Sequence, residues 1–136
     1  MSPLLPRPRR PRPEGETGAG TVELVLAIPL LMLLLMGIVQ FAIWSHATHV
    51  AQAAASQGLD AARVERGTSS DGHAAAAEVL AQLADGPLED ASVEVARDTD
   101  SATVRIAGTA TQLVPFLTLP VHAEAAGPVE RVTEAW

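Results

Sequence analysis

His46 and His49 stand three residues apart, a spacing that on a helix puts both imidazoles on one face and is one way a metal site begins. No third ligand lies near them, and His73 and His122 are isolated, so solvated or headgroup-contacting histidines are expected. Glu89, Asp90, Glu94, Asp98 and Asp100 form an acidic stretch that could attract Ca²⁺, but no loop has calcium-ligand spacing, and a solvated strand face and turn is expected instead. There are no cysteines, which removes thiolate metal sites, disulfides and a cysteine nucleophile. Serines and threonines are scattered, without a Gly-x-Ser-x-Gly elbow or a glycine-rich phosphate loop. The side chains therefore predict no enzyme, no metal and no cofactor. A net charge of −7 argues against nucleic acid as a partner, since binding phosphates needs a basic face.

The elements that position these groups divide the chain into four. Residues 1–18 hold Arg7, Arg9, Arg10 and Arg12 among prolines, a composition that reads as a disordered basic leader. Residues 24–44, LVLAIPLLMLLLMGIVQFAIW, form a 21-residue run whose only polar side chain is Gln40. At about 1.5 Å per residue the run is roughly 31 Å long, the thickness of bilayer hydrocarbon, and predicts a membrane-spanning helix. Four arginines precede it, while thirteen acids and five arginines follow, the first being Arg63. That asymmetry predicts a single-pass protein of the cytoplasmic membrane, its N-terminus cytoplasmic and its C-terminal domain extracytoplasmic. Trp44 suits the aromatic belt at the outer end, its indole N–H in water.

The helix is expected to run on from about Gly20 to Arg66, so that residues 19–66 form one transmembrane and extended segment. Ala47, Val50, Ala51, Ala54, Ala55, Leu59 and Ala62 recur at helical spacing; Gly58 weakens the helix and Gly67 ends it. A second helix, capped by Ser70 or Asp71, runs to Ala84 with Ala76, Val79, Leu80 and Leu83 on one face. The period then changes to two. Val93 and Val95, a turn at 98–101, and Val104 and Ile106 predict a β-hairpin, to which Val121, Ala123 and Ala125 could add a strand. The fold class is α+β: a long N-terminal transmembrane helix, a second short helix and a small antiparallel sheet over residues 67–127. Residues 128–136 read as an unstructured tail.

Gly18-Ala19-Gly20-Thr21-Val22-Glu23-Leu24 is the informative junction, because a carboxylate beside an apolar run is costly and needs a reason. One reason is that Glu23 is interfacial, partly hydrated and favoured by the helix dipole in a first turn.

The other comes from resemblance. A basic leader, Gly18, Glu23 five positions later and an uninterrupted apolar helix look like the prepilin-type signal of type IV pilins and pseudopilins. The longer run GAGTVELVLAIPLLMLLLMGIVQF resembles the TadE-like family of bacterial tight-adherence (Flp-type) pilus-assembly pseudopilins, most strongly over residues 18–60. The pilin-like fold is likewise α+β. The resemblance implies that prepilin peptidase cuts after Gly18, that Ala19 becomes the N-terminus, and that Glu23 pairs with the α-ammonium of a neighbouring subunit to set register. Leu24 departs from the aromatic that commonly follows the glutamate in related signals. Ala27, Gly37 and Ala42 would permit close helix packing, and Pro29 either bends the helix or is a tolerated kink. The implied partners are the membrane lipid bilayer, other pilin-like subunits and the pilus assembly platform.

Two further readings stay open. One is a membrane-anchored extracytoplasmic accessory or binding protein with an uncleaved signal anchor. The other is an exported protein cut near Ala51-Gln52-Ala53, although the apolar run exceeds the roughly 7 to 15 residues usual in a signal peptide. All basic residues are arginine and alanine is abundant, a composition that hints at a GC-rich bacterial genome.

Overall fold

A computed structural model describes residues 2–10 and 15–133. Parts of the basic leader, including Arg12, and the end of the C-terminal segment lie outside the described residues. The fold class is that expected: a long apolar helix, a short helix and a three-stranded antiparallel sheet. The chain divides into two compact units, Met1–Leu35 and Met36–Trp136.

In the first unit, residues 2–10 carry no regular secondary structure and are exposed. Helix α1 is Gly15–Arg63, and its residues 15–35 belong here. It begins ahead of Gly20 and ends short of Arg66, and Pro29 is accommodated inside it. The large apolar side chains from Val22 to Leu35 are all exposed, so this part of the helix buries no stripe of its own.

The second unit holds the rest of α1, helix α2 (Ser69–Leu83) and strands β1 (Leu88–Arg97), β2 (Ser101–Ala110) and β3 (Pro120–Pro128), in sheet order β1-β2-β3. Here α1 has an inner face: Ala47, Val50, Ala51, Ala54, Ala55 and Ala62 are buried and Leu59 packs beside them. α2 starts earlier than expected because Thr68, not Ser70 or Asp71, is the N-cap. Its hydroxyl accepts from the Asp71 N–H at 3.1 Å, while the Asp71 carboxylate accepts from the Thr68 N–H at 2.9 Å, a reciprocal capping box. The buried face of α2 is Gly72, Ala76, Leu80 and then Ala84; Leu83, expected on that face, is half exposed because the four-residue row passes one position beyond it.

The hairpin pairs Val93 with Ile106 and Val95 with Val104, and β3 adds Ala125 opposite Val104 and Ala123 opposite Ile106. One sheet face is therefore apolar and joins both helices in a single core, in which Ile106, Val104 and Val121 are the largest fully buried apolar side chains. A core this light depends on close approach. At Gly58 an added Cβ would lie 3.0 Å from the Ala76 Cβ, and at Gly72 one would lie 2.8 Å from the Ala62 Cβ. Gly58, expected only to weaken α1, is thus a packing residue where two helices meet. A bulge lies between Glu89 and Ser92, where Asp90 has φ 52°, and Gly108 opposite leaves room for it.

The two ends of this unit differ chemically. At one end, Arg97 reaches from β1 to the C-terminus of α1, its Nε donating to the Ala62 carbonyl at 2.6 Å and Nη2 to the Val64 carbonyl at 3.2 Å, which also accepts from the Gly67 N–H at 2.9 Å, so that a cation covers the last carbonyls of the helix. Residues 129–133 carry no regular secondary structure but are tied down here: the Glu130 N–H donates to the Arg63 carbonyl at 2.7 Å, the Val129 N–H donates to the Asp100 carbonyl, and Arg131 pairs with Asp100. At the other end, a nine-residue connection between β2 and β3 is wholly uncharged.

Candidate functional site

The residues singled out by sequence lie on α1. Gly18 and Ala19 are exposed and already helical, with nothing within 4 Å of an added Cβ at Gly18. Glu23 is exposed one helical turn beyond Ala19, on the same side of the helix. A free ammonium at Ala19 would therefore have the carboxylate of its own chain within a turn, as well as any supplied by a neighbour. Ala27, Pro29, Gly37 and Ala42 are all exposed, and Gly37 has open space where a side chain would be. None of them packs inside the chain, so their small size is available to a second helix.

A second constellation lies at the other end of the apolar run and was missed as a site, although Gln40 was visible as its lone amide. Gln40 is 1% exposed, and its two polar atoms are both used. Oε1 accepts from the Leu113 N–H at 2.6 Å and the Val114 N–H at 3.1 Å; Nε2 donates to the Thr111 carbonyl at 3.0 Å. One side chain thus satisfies three backbone groups of the β2–β3 connection. Trp44 makes a second tie. Its Nε1–H donates to the Pro120 carbonyl at 3.1 Å rather than to water, a correction that follows from β3 starting beside the helix, and its ring lies 5.8 Å from that of Phe41.

His46, His49, His73 and His122 are all exposed, and among the described residues no group of three or more His, Asp or Glu side chains could hold a metal. On the sheet face away from the helices, Arg105 Nε donates to Glu124 Oε2 at 2.8 Å, and this hydrogen bond, then the charges of Glu124 and Glu94, raise the arginine pKa above its ordinary value. Both side chains are mostly exposed, so the pair is screened and orders the surface without making a site.

α1 is long and apolar enough to cross a membrane, and none of its apolar window is buried within the chain. Residues 18–60, which lie wholly within α1, match the family described as TadE-like protein. The match covers the same residues over which the sequence resembles that family, and the family is one of pilus-assembly components rather than of enzymes. No curated protein and no solved structure matches the chain.

Proposed function

We propose that the chain is a TadE-like minor pseudopilin, a single-pass membrane component of tight-adherence (Flp-type) pilus assembly or a related secretion machinery. The observation that carries this is the coincidence of the family match with α1 and with an unpacked helix surface: Glu23 and the small residues Ala27, Gly37 and Ala42 are exposed inside the matched segment. An apolar helix with small residues at its surface is suited to packing against other apolar helices in a bilayer, where close backbone approach replaces the hydrophobic drive. The arginines before the span and the acids after it favour an N-terminus in the cytoplasm and the α2–β3 domain outside it.

Prepilin peptidase would cut between Gly18 and Ala19. Both residues are helical, so the first turns of α1 would have to unwind to present an extended strand to a protease, a step that two glycines at Gly18 and Gly20 make cheap. The freed ammonium of Ala19 and the carboxylate of Glu23 would then set register between subunits.

The test is the mass and N-terminal sequence of the protein extracted from membranes of its own host. A chain starting at Ala19 and lacking residues 1–18 is the expected product. An intact N-terminus would remove the register mechanism and leave the alternative, a membrane-anchored accessory protein with an uncleaved anchor.

A further inference from the structure

We infer that the β2–β3 connection, residues 111–119, is a second membrane contact: its tip at Phe116 enters the headgroup and upper acyl region of the leaflet on the side of the folded domain. This rests on the reading of residues 24–44 as a membrane span.

The level of the connection is set by Gln40. The amide lies four residues before Trp44, about 6 Å inside the end of the span at helical rise, and it holds Thr111, Leu113 and Val114 at that level through three hydrogen bonds. The connection has a lipid-compatible composition. Between Arg105 and His122 there is no charged or histidine side chain, and the stretch LVPFLTLP leads the chain back to β3. The acids beside the connection lie at its root rather than at its tip: Asp85 precedes Gly86 and Pro87, whose carbonyls accept from Thr111, and Glu89 and Asp90 are on β1, Glu89 opposite Thr109. The charged ties described above, from Arg97, Arg63 and Arg131, all lie at the far end of the sheet.

Backbone groups in a membrane must find partners within the protein, and here many do. Besides those on Gln40, the Leu117 N–H donates to the Val114 carbonyl at 3.3 Å, the Ala110 N–H to Leu119 at 3.0 Å, and the Gln112 amide to the Val114 carbonyl at 3.0 Å, while Pro115 has no N–H to satisfy.

Strain points the same way. Val114-Pro115-Phe116-Leu117 is a turn with proline second and a positive φ third, the geometry that ordinarily selects glycine or asparagine at the third place. Phe116 occupies it at φ 67° and is 102% exposed. A bulky aromatic held in a left-handed conformation and touching nothing in its own chain is stabilised by nothing in water. At a bilayer surface the same position buries a whole phenyl ring, with Leu113 and Leu117, which are partly exposed, on either side.

The absence of cysteine makes the test direct. Single variants Phe116→Cys, Leu113→Cys, His122→Cys and Leu34→Cys of the full chain would be spin-labelled and reconstituted in phosphatidylcholine–phosphatidylglycerol vesicles. Collision with oxygen, which concentrates in lipid, is then compared with collision with a water-soluble nickel chelate. The expected result is an oxygen-to-nickel ratio several-fold higher at 116 and 113 than at 122, with Leu34 higher still. A label at 116 as nickel-accessible as that at 122, while Leu34 reads as lipid, overturns the inference and leaves the span. A label at 116 shielded from both reagents overturns it in favour of a protein neighbour. Nickel access at Leu34 overturns the span and this inference together.

Discussion

Gly72→Ala should destabilise the protein even though alanine is the better helix former. In an exposed helix interior the exchange is favourable by about 1 kcal/mol. At Gly72, however, the new Cβ would stand 2.8 Å from the Ala62 Cβ, 2.9 Å from the Gly58 carbonyl oxygen and 3.1 Å from Val95 Cγ1. Carbon atoms in favourable contact are about 3.5–4.0 Å apart, and neither the Ala62 methyl nor a backbone carbonyl can rotate away. α2 must therefore move off α1, which loosens Ala76 and Leu80 against the core. Overpacking of this kind costs about 1–3 kcal/mol. Gly72 is in the first turns of α2, where the propensity gain is least, so the net loss should be about 1–2 kcal/mol. Urea unfolding of the full chain in detergent micelles would read it, in a Trp136→Phe background so that Trp44, hydrogen-bonded to Pro120, is the sole indole. At a slope of about 1 kcal/mol per molar urea the midpoint falls by about 1–2 M. Ala74→Gly, at an exposed position of the same helix, measures propensity alone. A Gly72→Ala midpoint at or above the wild-type value would refute the tight crossing. Because Gly58 meets Gly72 directly, Gly58→Ala combined with Gly72→Ala should cost less than the two separately, since one substitution already parts the helices.

Two further outcomes follow from the capping and anchoring contacts. Gln40→Leu keeps the bulk but deprives three backbone groups of partners; hydrogen exchange in micelles should show the Leu113 and Val114 amides accelerating by roughly ten- to a hundred-fold, as expected for about 1–3 kcal/mol lost per unsatisfied buried group, with the Val104 and Ile106 amides little changed. Arg97→Met should lower stability by about 1.5–3 kcal/mol through the lost charged hydrogen bond to the Ala62 carbonyl, the Val64 carbonyl keeping its bond from the Gly67 N–H; an unchanged urea midpoint would show that water replaces the guanidinium at no cost.

Much of the architecture was legible because it depends on period and composition. An apolar run of bilayer length, the alanine stripe from Ala47 to Ala62 and the valine alternation of β1 and β2 each follow from which face must leave water, and a local pattern is enough to show that. The junction around Glu23 drew notice in the same way, since a carboxylate beside an apolar run stands out in one dimension, but its role is a matter for the processing experiment.

The remainder depends on what lies opposite. Leu83 and Leu80 are alike in sequence, but only Leu80 turns toward the sheet. Gly58 looked like a helix weakener, and Gly72 drew no reading at all, until the crossing placed each against the other's backbone. Gln40 shows the difference most clearly: the sequence marked it as a polar residue in a hydrophobic span, and only the return of the chain some seventy residues later shows that its amide holds a loop. Periodicity reports which side of an element is buried, whereas partners across a fold are chosen by tertiary contact, and no local pattern carries that information.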